Sequence, residues 1–371
     1  MLIVLGLILI TLHFGSSLCY FGYCRRNANR PWKLHTDITY APRIVIIVPT
    51  YNEELLIVRK LDDISDQTYR KDRLGIIVAD DGSQDRTKNL VTKWIQTHRE
   101  LGVEIIAQAS HSGKMPMVRE VLNRLGQKTD LTILTDVDAF WEHDAILHAA
   151  RYFADPAIGA VTGSIQYARE KRGDNPREEK TYRKFYNVLR VSESKVFSTP
   201  ISNGPFLALR TSSLREYGLP DFVGFDDSAI GSFFALAGLR AIQVEDVMVW
   251  EDARGSLLRR KTRRANRLVL NFLNTKKCAI RRGVYRRTAF ERIWKMEWWL
   301  TLVNPWLLLA GASLLVIDLF TGQGFRLALL PLSAGVGLSF LAPYRAWMIQ
   351  QFYLIAGRVR GLMTSDITWR R

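Results

Sequence analysis

Asp136 and Asp138, separated by one valine, follow a short apolar run at 131–135. On an extended chain, side chains two residues apart point to the same face. The two carboxylates therefore meet at the carboxyl end of a predicted strand, where open α/β sheets bind ligands. Like charges so close call for a cation. A hard divalent ion suits oxygen ligands and retains room for substrate phosphates. Acidic pairs are also common in loops, so the pair gains its meaning from its neighbours.

Four further segments carry residues suited to chemistry. Pro49, Tyr51 and Glu53 form a polar shelf where the apolar run 44–48 ends. Asp80 and Asp81 close a second run, and a carboxylate there can accept a hydrogen bond from a base N–H. Asp81 and Asp85 equally suit a turn and a helix cap. Lys114 ends a His-Ser-Gly-Lys segment before a helix, placing a cation and free N–H groups where phosphates bind. Asp226 and Asp227 precede a helix-like stretch at 228–238, and Asp226 also suits an N-cap. There is no Walker phosphate loop, which excludes a P-loop NTPase.

The elements that must position these groups alternate strand and helix signals from 43 to about 165. Predicted strands at 44–48, 75–79, 103–107, 131–135 and 158–162 alternate with helices from 53, 85, 114 and 144. Repeated βα units imply an α/β fold with a parallel-rich, Rossmann-like sheet flanked by helices. The charged stretch 169–179 reads as a loop, 181–197 as a helix, and 286–299 as an amphipathic interface helix with Trp294, Trp298 and Trp299 in an aromatic belt.

The chain has 371 residues and a formal net charge of +16. Residues 1–23 carry no charged side chain and are long enough to span a bilayer. Arg25, Arg26 and Arg30 follow, which puts the N-terminus outside and the next domain in the cytoplasm. Apolar runs at 299–320 and 325–344, joined by a turn at 321–324, read as a hairpin of two more spans, with Asp318 and Arg326 outside and Arg345, Arg358, Arg360, Arg370 and Arg371 inside. The expected organisation is a first span at 1–24, a catalytic domain at 25–253, basic interface helices at 254–298, a membrane hairpin at 299–345 and a cytoplasmic tail at 346–371. Residues 254–292 hold fourteen Lys/Arg against one acid, Glu291. So basic a segment beside a span suits membrane lipids and phosphate ligands, and nucleic acid is not an expected partner. Cys19, Cys24 and Cys278 show no pairing or metal spacing, as on a reducing face.

Taken in order, these segments resemble the family-2 membrane glycosyltransferases of GT-A fold, over about 43–267. The span arrangement looks like a reduced cellulose-synthase layout and is similar to crenarchaeal mannosyltransferases acting on dolichol-linked acceptors. The resemblance implies a GT-A mixed sheet, Mn²⁺ or Mg²⁺ as cofactor, a nucleotide-sugar donor and a polyprenyl- or dolichyl-phosphate-linked acceptor. It places Pro49, Tyr51 and Glu53 on the nucleotide, Asp80 or Asp81 on its base, and Lys114 near base or diphosphate. Asp136 and Asp138 would hold the metal and the donor diphosphate, and Asp227 would be the general base. Asn203 and Gly204, with Asp226, would line the acceptor site. Phe225 and Asp226 depart from the family's Thr-Glu-Asp segment. The family's Gln-x-x-Arg-Trp segment keeps only its arginine, at Arg263 or Arg264, and the missing Trp implies addition of a single sugar. GDP-mannose is the expected donor on likeness alone. A UDP-sugar donor and a nucleotidyltransferase are the alternatives.

Overall fold

The β-branched run that starts at Ile44 becomes a strand buried on both faces. In a computed structural model, which describes residues 1–126, 128–166, 176–251, 257–321 and 325–363, β1 (Ile44–Thr50) lies between β2 (Leu74–Asp80) and β4 (Leu131–Leu134), parallel to both. β3 (Gly102–Ala107) pairs parallel to β2. Beyond β4 the sheet becomes mixed. β7 (Leu207–Arg210) runs antiparallel to β4, and β6 (Ile158–Gln166) antiparallel to β7. β8 (Arg240–Glu251) runs parallel to β6, and β5 (Ala139–Trp141) closes the edge antiparallel to β8. The eight strands lie in the order β3-β2-β1-β4-β7-β6-β8-β5.

Period-two alternation divides the core between the two faces. Ile44, Ile46 and Val48 pack with Leu61 and Ile64 of α2 (Ile57–Ser65) and with Trp94 of α3 (Thr87–Thr97). Ile47 faces the other way, toward Val118 and Val121 of α4 (Lys114–Arg124) and Phe233 and Phe234 of α8 (Asp227–Leu236). β1 runs through Pro49 to Thr50, two residues past the expected end at 48. Pairing with β4 stops at Ile47, so at Pro49 the strand is flanked by β2 alone, where a missing donor is tolerated. The shared direction of β1, β2 and β4 brings their carboxyl ends to one edge of the sheet.

Among the described residues, two helices are long and apolar enough to cross a membrane: α1 (Leu2–Ala28) and the stretch Phe290–Thr321, formed by α10 (Phe290–Leu302) and α11 (Asn304–Thr321). Val4, Leu5, Ile8 and Leu12 of α1, and Leu309, Ile317 and Phe320 of α11, are exposed, as on lipid-facing helices. The two helices cross at Gly6 and Gly311, where a Cβ on either would come within 3.1 Å of the other's carbonyl oxygen. Small residues allow this approach.

Several membrane expectations are corrected. α12 (Phe325–Leu338) has 14 residues with Pro331 inside. At about 1.5 Å per residue it falls short of a ~30 Å hydrocarbon core, so the third span expected at 325–344 is not formed as one helix. Residues expected as a tail form α13 (Ala342–Met363), which packs against α9 (Leu257–Arg281) and α6 (Pro176–Val196). Trp294 is not in a membrane belt but is buried against Phe272 of α9. The loop expected at 169–179 lies mostly outside the described residues, and α6 already begins at Pro176. Arg254, the turn residues 322–324, and Arg370 and Arg371 also lie outside them.

A buried ionic cluster ties α1 to the sheet domain. Arg190 of α6 binds Glu193 at 2.8 Å and Glu297 of α10 at 3.1 Å, and Tyr20 of α1 donates to Glu193. Thr199, which leads into the loop before β7, also donates to Glu193 at 2.8 Å.

Candidate active site

Three charged side chains meet at the carboxyl edge of the parallel strands. Lys114 stands at the first turn of α4, introduced by Gly113, whose φ of 106° favours glycine. Its Nζ lies 2.7 Å from Asp136 Oδ1, just past β4, and 3.0 Å from Asp227 Oδ2, at the start of α8. Burial alone would depress the ammonium, but Asp136 and Asp227 outweigh that and hold its pKa above the usual lysine value. The loop before β7 closes the third side. A Cβ on Gly204 would sit 2.5 Å from Asp227 Oδ2 and 3.1 Å from Asp136 Oδ2, so only glycine lets that backbone pass.

Asp138, one turn position on, is pushed up to about 6 by burial and then by the charges of Asp136 and Glu251. Repulsion of this kind is what a bound cation relieves. Among the described residues no group of three or more His, Cys, Asp or Glu side chains forms a ready-made metal cage. Two carboxylates nevertheless fit a hard divalent ion that completes its shell with substrate oxygens and water.

Arginines from α9 face this edge, and they differ from one another. Arg264 forms an ion pair with Glu251, the last residue of β8, which also binds Arg183 of α6 at 2.7 Å. Glu251 is held far below its usual range because these two guanidinium groups outweigh its burial. Arg263 is pushed down to about 10 by burial and by the like charges of Arg267 and Arg264, with Asp136 opposing. It feels the acid pair, but its neighbours are cations, as an anion site requires.

The other expected residues fall into two groups. Tyr51 stacks on His111 with ring centroids 4.0 Å apart, and Glu53 is buried at the β1 shelf, with its N–H donating to Thr87 Oγ1. Asp80 and Asp81 are both buried and engaged within the protein. Asp80 accepts from Ser83 N and pairs with Lys88. Asp81 accepts from Ser112 N at 2.8 Å and Gly113 N at 2.7 Å, and lies 2.8 Å from His111 Nδ1. Its oxygens thus shape the loop that delivers Lys114. Asp226 is the N-cap of α8, accepting from Ala229 N. Asn203 turns its amide into the sheet, toward the Gly163 carbonyl and Gln243.

Sequence reasoning missed Glu251, Gln243, Trp141 and Lys60. Glu251 had a local signal, an acid ending a strand just before a basic helix. The others gain significance only through contacts distant in sequence.

A family model described as "Glycosyl transferase family 2" matches residues 45–218. The solved structure of a mannosyltransferase from Pyrobaculum calidifontis, in complex with GDP-Man and Mn²⁺, is similar with a TM-score of 0.86 and 34% identity, covering 99% of this chain and 100% of that one. Among curated proteins, the probable glycosyltransferase YdaM of Bacillus subtilis is 30% identical over 53% of this chain and 46% of its own length. An N-acetylglucosaminyltransferase of Azorhizobium caulinodans is 28% identical over 49% of this chain and 47% of its own length. The chain spans about half the length of these two curated relatives.

Proposed function

The chain belongs to glycosyl transferase family 2, and from that premise we propose that it moves one sugar from a nucleotide donor, GDP-mannose, to a lipid-linked acceptor with inversion at the anomeric carbon. The observation that carries this reading is the meeting of Asp136 and Asp227 at Lys114. It places an acid-pair carboxylate and a candidate base on the two sides of one small space. Likeness to a GDP-Man complex along the whole chain supports the choice of donor.

Asp136 and Asp138 would hold Mn²⁺ or Mg²⁺, which offsets charge on the donor diphosphate. Arg263 adds positive charge on the side where the diphosphate departs. Asp227 takes the proton from the acceptor hydroxyl as that oxygen attacks. Lys114 holds that carboxylate in place at 3.0 Å. Tyr51 and His111 offer an aromatic surface for the nucleobase, with Pro49 and Glu53 beside it. Gly204 leaves the acceptor oxygen room to approach Asp227. An α-linked donor gives a β-linked product.

We further propose that α1 and α11 anchor the protein with its N-terminus outside and the sheet domain in the cytoplasm. Arg25 and Arg26 in the last turn of α1 support this. Such an anchor holds the site beside polyprenyl- or dolichyl-phosphate-linked acceptors.

A donor screen tests the proposal. Purified protein with Mn²⁺ and GDP- or UDP-sugars is assayed for the released nucleotide by mass. GDP from GDP-mannose is the expected product. UDP release replaces the donor, pyrophosphate release replaces the reaction class, and absence of turnover with any sugar nucleotide overturns the reading. Asp227→Asn then separates acceptors. A hydroxyl acceptor needs the base, whereas an acceptor phosphate is already anionic, and full activity in the variant identifies the latter.

A further inference from the structure

Lys60 of α2 has no solvent-exposed side-chain surface, and its neighbours along the helix are Ile57, Leu61 and Ile64 of the core. A buried ammonium costs several kcal/mol unless hydrogen bonds and counter-charge compensate. Leucine or methionine would fill the same space without that cost, so the contacts of the ammonium carry its meaning. Its Nζ donates to the Ala139 carbonyl at 2.6 Å and to Asp63 Oδ2 at 3.1 Å, and it lies 3.7 Å from the centre of the Trp141 ring. Asp63 accepts in turn from Trp141 N at 3.1 Å.

Both ends of β5 are thus gripped from α2. Ala139 directly follows Asp138, and its N–H donates to the Asp136 carbonyl at 3.2 Å, closing the turn that carries the acid pair. At the other end, Trp141 Nε1 donates to the Pro205 carbonyl at 2.9 Å. Pro205 follows Gly204, which lies against Asp227. Lys60 touches neither the acid pair nor Asp227, yet one ammonium reaches both through a three-residue strand.

We propose that Lys60 is a positioning residue that sets the Asp136–Ala139 turn for divalent-metal binding and, through Trp141, fixes the Gly204 loop. The inference rests on the acid pair being the metal site of the transfer reaction proposed above. Outer contacts of this kind typically change metal affinity by about 10–100-fold when removed.

The test is Mn²⁺ binding to the full-length protein in detergent, read by the free-ion paramagnetic resonance signal with GDP present, alongside thermal unfolding. Lys60→Met leaves Asp63 without its cation, so the pair Lys60→Met with Asp63→Asn is made as well to keep the fold neutral. The expected result is a Kd for Mn²⁺ raised at least about tenfold in the double variant, with partial recovery in Lys60→Arg. A folded double variant with unchanged Mn²⁺ affinity reduces Lys60 to a core residue and overturns the inference. An unmodified protein that binds no Mn²⁺ overturns the acid-pair reading, and this inference falls with it.

Discussion

The backbone of Gly204 passes so close to Asp227 that a Cβ there would stand 2.5 Å from the carboxylate Oδ2. Real Cβ atoms do not approach oxygen so closely, and Asp227 has little freedom to yield. It is held at the first turn of α8 and bound by Lys114 at 3.0 Å. Gly204→Ala should therefore displace the carboxylate while leaving the core intact. A misplacement of about 1 Å can cost ~10²-fold in rate. The expected outcome is a kcat lowered by about that factor with a nearly unchanged unfolding temperature, measured by steady-state kinetics and scanning fluorimetry.

Lys114→Met would leave Asp136 and Asp227 facing each other across Gly204 with no shared cation. The two like charges left together repel, so the unfolding temperature should fall and the carboxylates should move apart. Activity at neutral pH should drop by about 10² or more, consistent with loss of a positioned base. Steady-state kinetics and unfolding of both proteins, with Mn²⁺ present and absent, check the expectation. A variant with unchanged activity and stability would show that Lys114 does not hold the two acids.

The place of the acid pair was legible only in part, because β4 ends at Leu134 and Asp136 and Asp138 lie in the turn after it, where strand periodicity no longer applies. β1 and β2 were legible, since their β-branched runs state their double burial directly. Asp226 was legible both as a cap and as a site residue, and geometry selects the cap. Other features were not local. The antiparallel insertion of β7 between β4 and β6 follows from chain crossings that no single segment encodes. α13 read as a tail because it is only weakly amphipathic. Its helix is stabilised by contact with α9, where Gly357 and Gly361 let the backbone approach Asn266. Lys60 was not legible, since nothing within α2 reveals that Trp141 covers it.

Arg263 and Arg264 were equivalent in sequence and are not so in space. Arg264 is paired with Glu251, whereas Arg263 lies among like charges near Asp136. Arg263→Ala should raise the donor KM about tenfold or more with little change in unfolding temperature. Arg264→Ala should lower the unfolding temperature through loss of its partner and affect the donor KM less. Parallel kinetics and melting of the two variants decide between them, and the reverse pattern would reassign the diphosphate role to Arg264.

Glu251 should make acid sensitivity visible. Its folded-state pKa is depressed by Arg264 and Arg183, so its stabilising contribution is complete above the unfolded value of ~4.3 and is lost as pH falls through the folded one. Glu251→Gln is expected to cost about 2 kcal/mol at pH 7. That is below the ~3–5 kcal/mol of a fully buried pair, because Arg264 is 47% exposed. The gap in unfolding temperature between the two proteins should be constant from about pH 8 to 5 and close below ~4. A gap that instead widens in acid would contradict the assignment.

The cluster around Arg190 joins α1 to the sheet domain, and its energetics should be conditional. Side-chain exposures of 4% for Arg190, 0% for Glu193 and 5% for Glu297 leave these groups no access to water. Arg190→Met would strand two acids, at a cost of about 3–5 kcal/mol. Removing all three charges, as Arg190→Met with Glu193→Gln and Glu297→Gln, should recover most of that loss, since the desolvation cost disappears with the charges. Tyr20 and Thr199 would keep an amide partner at position 193. Unfolding in detergent reports the stability, and glycosyl transfer reports whether the site is still formed. Recovery of stability without recovery of transfer would mean that the ionic contacts set the angle between α1 and the sheet, beyond holding them together.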